Sequence, residues 1–418
     1  MIKNKQKILF VHQNFPGQYK HIAKELVNLG YDVHTLSITK YTDNNMTNHH
    51  YSLSANSTEN INSWAIEFES KMIRAGSAAR KAMKIKEEGL YPDLIIGHPG
   101  WGETFFLKEV WPESKILTYV EFYYKTKNSD IDFDPKLLED DLKRDFDQFY
   151  SYTKFKLAAR NAPFISAYAT SDFLMSPTNY QKNLVPKNLS TNIEVIHDGI
   201  DTNILKPNND ATFDFDGKIL TKKDNIITYV GRSLDPYRGF HIFMRALPGI
   251  LEKNPNAYVL IAGNESTHGY GSPPPNGKTF KDLFFSSIEN QIDASRVKFL
   301  GHVEYKDFIN LMQLTTVHIY LTYPFVLSWS ILEAMSCGAL VIGSNTAPVL
   351  EVIEDKKNGL ITDFFDFNLL TDNVTKVLNN RDNYKNICNN ARNTIIKKYD
   401  LKTVSLPAQL NLIKRALK

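Results

Sequence analysis

The chain begins the same local pattern twice. Near the N-terminus, Ile8-Leu-Phe-Val11 is an apolar run of strand length, and Asn14-Phe-Pro-Gly17 breaks it. Tyr19, Ile22, Ala23 and Leu26 then follow at helical spacing, and Gly30 is placed to end that helix before a second strand from Asp32 to Ile38. Far downstream the pattern restarts with Asn225-Ile-Ile-Thr-Tyr-Val230, a helix through Phe243, Ala246, Leu247 and Ile250, and a strand from Tyr258 to Ala262. Strand, helix and strand in succession imply a parallel sheet, because a crossover must return the chain before it can pair in the same direction. Two such starts predict two doubly wound α/β domains, alike in architecture and not in sequence.

At 418 residues the chain is long enough for each domain to bury its own core. Further strands are expected at Asp93–Ile96, Ile116–Val120 and Ile193–Ile196 in the first half, and at Val297–Leu300, Val317–Leu321 and Leu340–Ile342 in the second. A long helix is expected from about Pro135 to Arg160, carrying Leu138, Leu142, Phe146 and Phe149. Between the halves, Thr202 to Asp224 is rich in Asn, Asp and Lys and has little periodicity. The expected division is therefore a first domain over 1–201, a linker over 202–224 and a second domain over 225–400, followed by a last helix over about 401–418.

Composition excludes several classes. Lys and Arg number 49 against 46 Asp and Glu, a formal charge of +3, which does not suit a nucleic-acid binder. Cys337 and Cys388 are the only cysteines, too few for a disulfide framework or a cysteine metal site. The first apolar run ends at Val11 and is too short for a signal or a membrane span, so a cytoplasmic, reduced protein is expected. Lys71, Arg74, Arg80, Lys81 and Lys84 lie in a basic stretch interleaved with apolar residues. That stretch is read either as peripheral contact with anionic lipid at the inner face of the membrane or as a solvated helix face.

Two segments carry chemistry. Gly231-Arg-Ser-Leu-Asp-Pro-Tyr-Arg-Gly239 stands between a strand and a helix, where backbone N–H groups and the helix dipole favour an anion. Arg232 and Arg238 add forked donors matched to phosphate oxygens, and the pair predicts a diphosphate site. Tyr323-Pro-Phe-Val-Leu-Ser-Trp-Ser-Ile-Leu-Glu-Ala-Met-Ser-Cys-Gly338 likewise runs from a strand end into a helix and holds one carboxylate, Glu333. The sequence offers no Asp-x-Asp triplet suited to a divalent ion, so no metal site is expected. Gly271 to Thr279 looks like a phosphate loop, but its glycines are one position too far apart and its prolines lack N–H donors.

Together these segments resemble the donor signatures of retaining glycosyltransferases with the two-domain GT-B fold, the family 4-like glycosyl transferases group 1. The resemblance implies two doubly wound, Rossmann-like domains facing a cleft, with the last helix returning to brace the first. It also implies metal-independent transfer of a sugar from a nucleotide diphosphate donor to a glycan, lipid-linked or protein acceptor in building a bacterial surface glycan, with no separate cofactor. Glu333 matches the glutamate that holds the ribose hydroxyls, and Arg232 and Arg238 match the basic pair on the diphosphate, although the family usually has Lys where Arg238 stands.

In the first domain, Asn14-Phe-Pro-Gly-Gln18 resembles the loop whose glycine, here Gly17, lets the backbone approach the donor phosphate; a plain tight turn is the alternative. His98, in Gly97-His-Pro-Gly-Trp-Gly102, stands where the family places a histidine near the transferred sugar, or is a structural histidine. Glu121 meets the acceptor or caps a helix. One position departs from the pattern: the first of the family's two signature glutamates falls at Phe325, eight positions before Glu333. A phenyl ring accepts no sugar hydroxyl, so the sugar is expected to rely on the N–H groups of Val326, Leu327 and Ser328. The same departure raises a second reading, a non-catalytic GT-B subunit that binds a partner transferase or its acceptor.

Overall fold

The computed structural model describes residues 5–265 and 269–418. It separates into two compact units, Met1–Lys127 with Asp145–Gly199 and Lys402–Lys418, and Asn128–Arg144 with Ile200–Leu401.

The first unit is built on seven parallel strands: β1 (Lys7–Val11), β2 (Asp32–Ser37), β3 (Thr47–His50), β4 (Leu94–Gly97), β5 (Lys115–Tyr119), β6 (Phe173–Ser176) and β7 (Ile193–Val195). They lie in the order β3-β2-β1-β4-β5-β6-β7. Ile8, Leu9, Phe10 and Val11 are all fully buried, as a central parallel strand covered on both faces requires. Helix Lys20–Asn28 turns Ile22, Ala23 and Leu26 to the sheet, and Gly30 ends it in a left-handed conformation with φ of 88°. Helix Leu406–Ala416 adds Leu412, Ile413 and Ala416 to the same core.

The second unit carries six parallel strands: β10 (Asn225–Ser233), β11 (Ala257–Asn264), β12 (Val297–Gly301), β13 (Val317–Tyr320), β14 (Leu340–Ser344) and β15 (Leu360–Thr362), in the order β12-β11-β10-β13-β14-β15. The stretch expected to be a linker contains an antiparallel hairpin of β8 (Thr212–Phe215) and β9 (Lys218–Thr221). Asp216 and Gly217 take φ of 51° and 90° at its tip, the conformation that an Asp-Gly hairpin turn needs. Phe215 and Leu220 bury its inner side.

The long helix expected from Pro135 does not form as one piece. Lys143 adopts φ of 52°, and Asp145 caps a new helix, Phe146–Thr170, by accepting the N–H of Gln148 at 2.7 Å. Leu138 and Leu142 are buried in the preceding segment, which belongs to the second unit although the strands on either side of it belong to the first.

The basic stretch forms helix Ile66–Glu87, whose Ala75, Ala78, Ala82 and Ile85 face the core. The expectation of lipid contact is corrected at Lys71. That side chain is buried, donates to the Gly100 carbonyl and lies 4.6 Å over the Phe164 ring. Burial, reinforced by the Arg160 charge, brings its pKa down to about 8. Arg74 is turned back onto the Ser70 carbonyl at 3.0 Å, and Arg80 donates to the Ser54 hydroxyl. Among the described residues no helix is long and apolar enough to cross a membrane.

Candidate active site

In the first unit the sheet order itself gathers a polar cluster. β1 pairs with β4 so that Val11 faces Gly97, and the residues that follow each strand, His12 and His98, emerge side by side with ring centroids 5.3 Å apart. β5 is the next strand, and Glu121 follows two residues after its end. This is the carboxyl edge of a parallel sheet, where polar side chains can converge without an intervening layer of core.

The proton positions follow from the backbone. His98 Nδ1 accepts the Gly100 N–H at 3.0 Å, so the neutral ring carries its proton on Nε2, which lies 3.2 Å from Glu121 Oε2. His12 repeats the arrangement: Nδ1 accepts from the Asn14 N–H at 2.9 Å, leaving Nε2 to donate to Gln18 Oε1 at 2.9 Å. Gln18 in turn donates to Glu121 Oε1 at 3.2 Å. An imidazole contact and an amide donor thus meet at one carboxylate. Trp101 packs on both imidazoles, with centroids 4.8 Å from His12 and 4.7 Å from His98.

His98 is 2% exposed while the Glu121 side chain keeps 35%, so solvent reaches the acid more readily than the imidazole beside it. Burial pushes the Glu121 pKa up, but the His98 contact and the Gln18 amide outweigh it and hold the carboxyl below its usual range. His12 is lowered to about 3, by burial first and then by His98, and is neutral at physiological pH. Gly17 has φ of 45°, and a Cβ there would stand 2.6 Å from the His12 ring. The loop therefore needs glycine for its backbone and for the histidine beside it. Gly17, His98 and Glu121, read separately from the sequence, belong to one network.

In the second unit, the turn after β10 leads through Pro236–Arg238 to Gly239, whose φ of 70° opens helix Phe240–Lys253. A Cβ at Gly239 would collide with Leu321. Arg238 is buried, and its Nη1 donates to Val326 O at 2.8 Å, Thr322 Oγ1 at 3.0 Å and the Tyr320 hydroxyl at 3.2 Å. The guanidinium therefore joins the two signature segments, the turn after β10 and the loop after β13. Arg232 is exposed at the end of β10. Glu333, on helix Trp329–Ser336, is buried and accepts the Tyr305 hydroxyl at 3.3 Å.

Phe325 does not line open space. It is 6% exposed, set against Tyr270 at 4.8 Å and edge-on to Tyr237 at 5.3 Å, with Arg238 Cζ 5.9 Å from its centroid. The expectation of three free amides for a sugar is corrected at Ser328, whose N–H donates to the Tyr320 hydroxyl at 2.7 Å while its side chain caps the helix. Leu327 buries its side chain in the core, and the Val326 carbonyl is taken by Arg238. Among the described residues no group of three or more His, Cys, Asp or Glu side chains is placed to hold a metal ion.

Sequence reasoning did not single out His12, Tyr305, Tyr237 or Tyr270. His12 had a usable signal, as the first residue after an apolar strand. The tyrosines had none, because their partners are distant in sequence.

Two family models match the chain: the glycosyl transferase family 4 group over residues 32–205, and glycosyl transferases group 1 over residues 190–394. The chain is 30% identical over 142 residues to spore coat protein SA of Bacillus subtilis, a match covering 34% of this chain and 36% of that protein. It is 24% identical over 270 residues to an uncharacterized glycosyltransferase of Methanocaldococcus jannaschii, covering 63% of this chain and 62% of that one. The matches thus span between about a third and three fifths of these relatives' lengths. Sucrose-phosphate synthase from Thermosynechococcus elongatus superposes with a TM-score of 0.73 at 14% identity, over 99% of both chains. Anabaena HepE in complex with UDP-glucose superposes with a TM-score of 0.67 at 14% identity, over 98% of this chain and 99% of that one.

Proposed function

Because this chain belongs to the family 4 and group 1 glycosyltransferases and has their GT-B fold, we propose that it transfers a sugar from a nucleotide diphosphate donor to an acceptor hydroxyl with retention of configuration. The observation that carries the reading is Arg238, a buried cation fixed between the two signature segments by three hydrogen bonds. A guanidinium held in this way can receive a diphosphate without first reorganising.

In the proposed reaction Arg238 and Arg232 bind the diphosphate, the N-terminus of helix Phe240–Lys253 adds its dipole, and Glu333 accepts the ribose hydroxyls. The acceptor oxygen bonds to the anomeric carbon on the face from which the diphosphate leaves, the sugar–phosphate C–O bond breaks, and the acceptor proton passes to the departing diphosphate. Cations and helix N–H groups neutralise the leaving group, so no divalent ion and no separate cofactor is required. Glu121, ionised and partly open to solvent, orients the acceptor hydroxyl by accepting its hydrogen bond, while His98 lies beside the transferred sugar. The role is cytoplasmic, on a glycan, lipid-linked or protein acceptor of a bacterial surface glycan, a setting that the likeness to a spore coat protein favours.

A thermal-shift screen against UDP, GDP, ADP and CMP sugars, followed by NMR of the product's anomeric configuration, tests this function, since a ligand that binds only the native state raises its stability. An inverted product would remove the retaining mechanism. Phe325 favours the second reading, a non-catalytic subunit that binds a partner transferase or its acceptor. Nucleotide binding without transfer across a broad donor and acceptor panel, unrelieved by Phe325→Glu, would select it.

A further inference from the structure

Residues Asn128–Arg144 leave the first unit's strand series after β5 and join the second unit. Their contacts concentrate on the aromatic residues around Phe325. Asp134 is buried; its Oδ2 accepts the Tyr323 hydroxyl at 2.9 Å and lies 2.9 Å from His241 Nε2, and its Oδ1 accepts the Leu137 N–H at 3.0 Å. Asp130 accepts the Tyr237 hydroxyl at 2.9 Å. Phe133 packs 4.9 Å from Tyr323 and 5.2 Å from Phe365. Beyond these, Arg245 pairs with Asp141 at 2.7 Å and Arg144 donates to the Pro273 carbonyl at 3.2 Å.

The two anchored tyrosines stack on each other at 4.8 Å, and Tyr237 meets Phe325 edge-on. A chain of contacts therefore runs from two carboxylates to the position where the family's sugar-binding glutamate is missing. Neither tyrosine can rotate without giving up a hydrogen bond to a carboxylate, which for Asp134 is also engaged by a buried histidine.

We propose that residues 128–144 form a strap that positions a donor-sugar wall whose partly exposed face is Tyr237, backed by the buried Tyr323 and Phe325, with Asp134 and Asp130 as positioning residues. The wall selects a sugar that presents hydrogen or methyl in place of a hydroxyl, that is, a deoxysugar. An aromatic face packs on C–H groups but leaves a hydroxyl without a partner, and that difference discriminates strongly between donors. The inference rests on the donor-site reading above.

The test measures Kd for UDP and GDP alone and for matched donors: UDP-glucose with UDP-6-deoxyglucose, and GDP-mannose with GDP-6-deoxymannose. Wild type should favour the deoxy member. Tyr323→Phe, which removes one hydroxyl and little else, should change the deoxy-to-hydroxylated ratio by about fivefold or more while affinity for the free nucleotide stays within about twofold. Asp134→Asn should act in the same direction, and the double variant should add little. A lowered Tm with an unchanged ratio in Tyr323→Phe would reduce the strap to a structural role and overturn the proposal. A wild type that favours the hydroxylated donors overturns the sugar class. If wild type binds no nucleotide at all, the donor-site reading itself fails.

Discussion

His98 Nε2 lies 3.2 Å from Glu121 Oε2, and the other carboxylate oxygen accepts from Gln18, so a close polar contact and one directed hydrogen bond hold one partly exposed acid. The imidazole is fixed by the Gly100 N–H and the acid by the Gln18 amide. Glu121→Gln and His98→Ala should each lower kcat by one to two orders of magnitude, roughly 1.4–2.7 kcal/mol, with nucleotide affinity unchanged. Equal turnover in both variants would separate this cluster from the chemistry.

The pH dependence follows from the sign of the Glu121 shift. Its folded pKa is depressed, so the stability it contributes is present above the unfolded carboxylate value of about 4.3 and is lost as pH falls through the lower folded value. Wild type should therefore keep this contribution at pH 5. Thermal melts of wild type and Glu121→Gln should converge only at more acidic pH.

The two arginines should fail differently. Arg238→Ala removes a buried cation with three partners, so both Tm and nucleoside diphosphate affinity should fall, with about 1.5–3 kcal/mol of binding lost per charged hydrogen bond. Arg232 is exposed, so Arg232→Ala should leave Tm within about 1 °C and weaken binding more at low salt than at high salt. Calorimetry with UDP or GDP reads both, and unchanged affinity in both variants would remove the diphosphate assignment.

Glu333→Gln should weaken every donor alike, by about tenfold if roughly 1.4 kcal/mol of charged hydrogen bonding is lost. Tyr305→Phe should cause a smaller loss in the same direction, because its hydroxyl holds the Glu333 carboxylate at 3.3 Å. A variant that altered one sugar and spared another would place Glu333 on the sugar instead of the ribose.

Asp235 is a pH probe beside Arg238. It is fully buried, one of its oxygens has no hydrogen-bond partner among the described residues, and burial raises its pKa to about 6, despite the Tyr270 N–H and the Arg238 charge. A raised folded value means that its stabilising contribution is complete below the unfolded value of about 3.9 and is lost as pH rises through about 6. Asp235→Asn should therefore raise Tm at pH 7.5 by more than at pH 5. No difference between the two pH values would show that the carboxyl is not strained when charged.

Chelation offers a separate check on the leaving group. Turnover should persist in EDTA, because arginine and helix N–H donors carry the diphosphate charge in the proposed reaction. Activity lost in EDTA and restored by magnesium or manganese would contradict it.

The elements most legible in the sequence are those whose signal is local. Buried parallel strands are continuous apolar runs, and Ile8–Val11, Asn225–Val230 and Val317–Leu321 show this, so the doubly wound class and the strand-to-helix placement of Arg238 and Glu333 could be read directly. The hairpin Thr212–Thr221 had a local signal as well, an Asp-Gly pair between alternating residues, but the surrounding polar stretch obscured it.

What only the tertiary structure decided were the partnerships between residues far apart in sequence. Register between β1 and β4 places His12 beside His98, and the next strand delivers Glu121, more than a hundred residues from His12; no spacing rule predicts that convergence. Helical periodicity carried Leu138 and Leu142 into one helix with Phe146, whereas the left-handed Lys143 and the Asp145 cap divide it. The chain before that break belongs to the other unit because Asp134 meets His241 and Tyr323 there. Periodicity reports which faces of an element are apolar. Which partner an apolar face or a lone carboxylate finds depends on closing long loops, and that free energy appears only once both sides of the contact are folded.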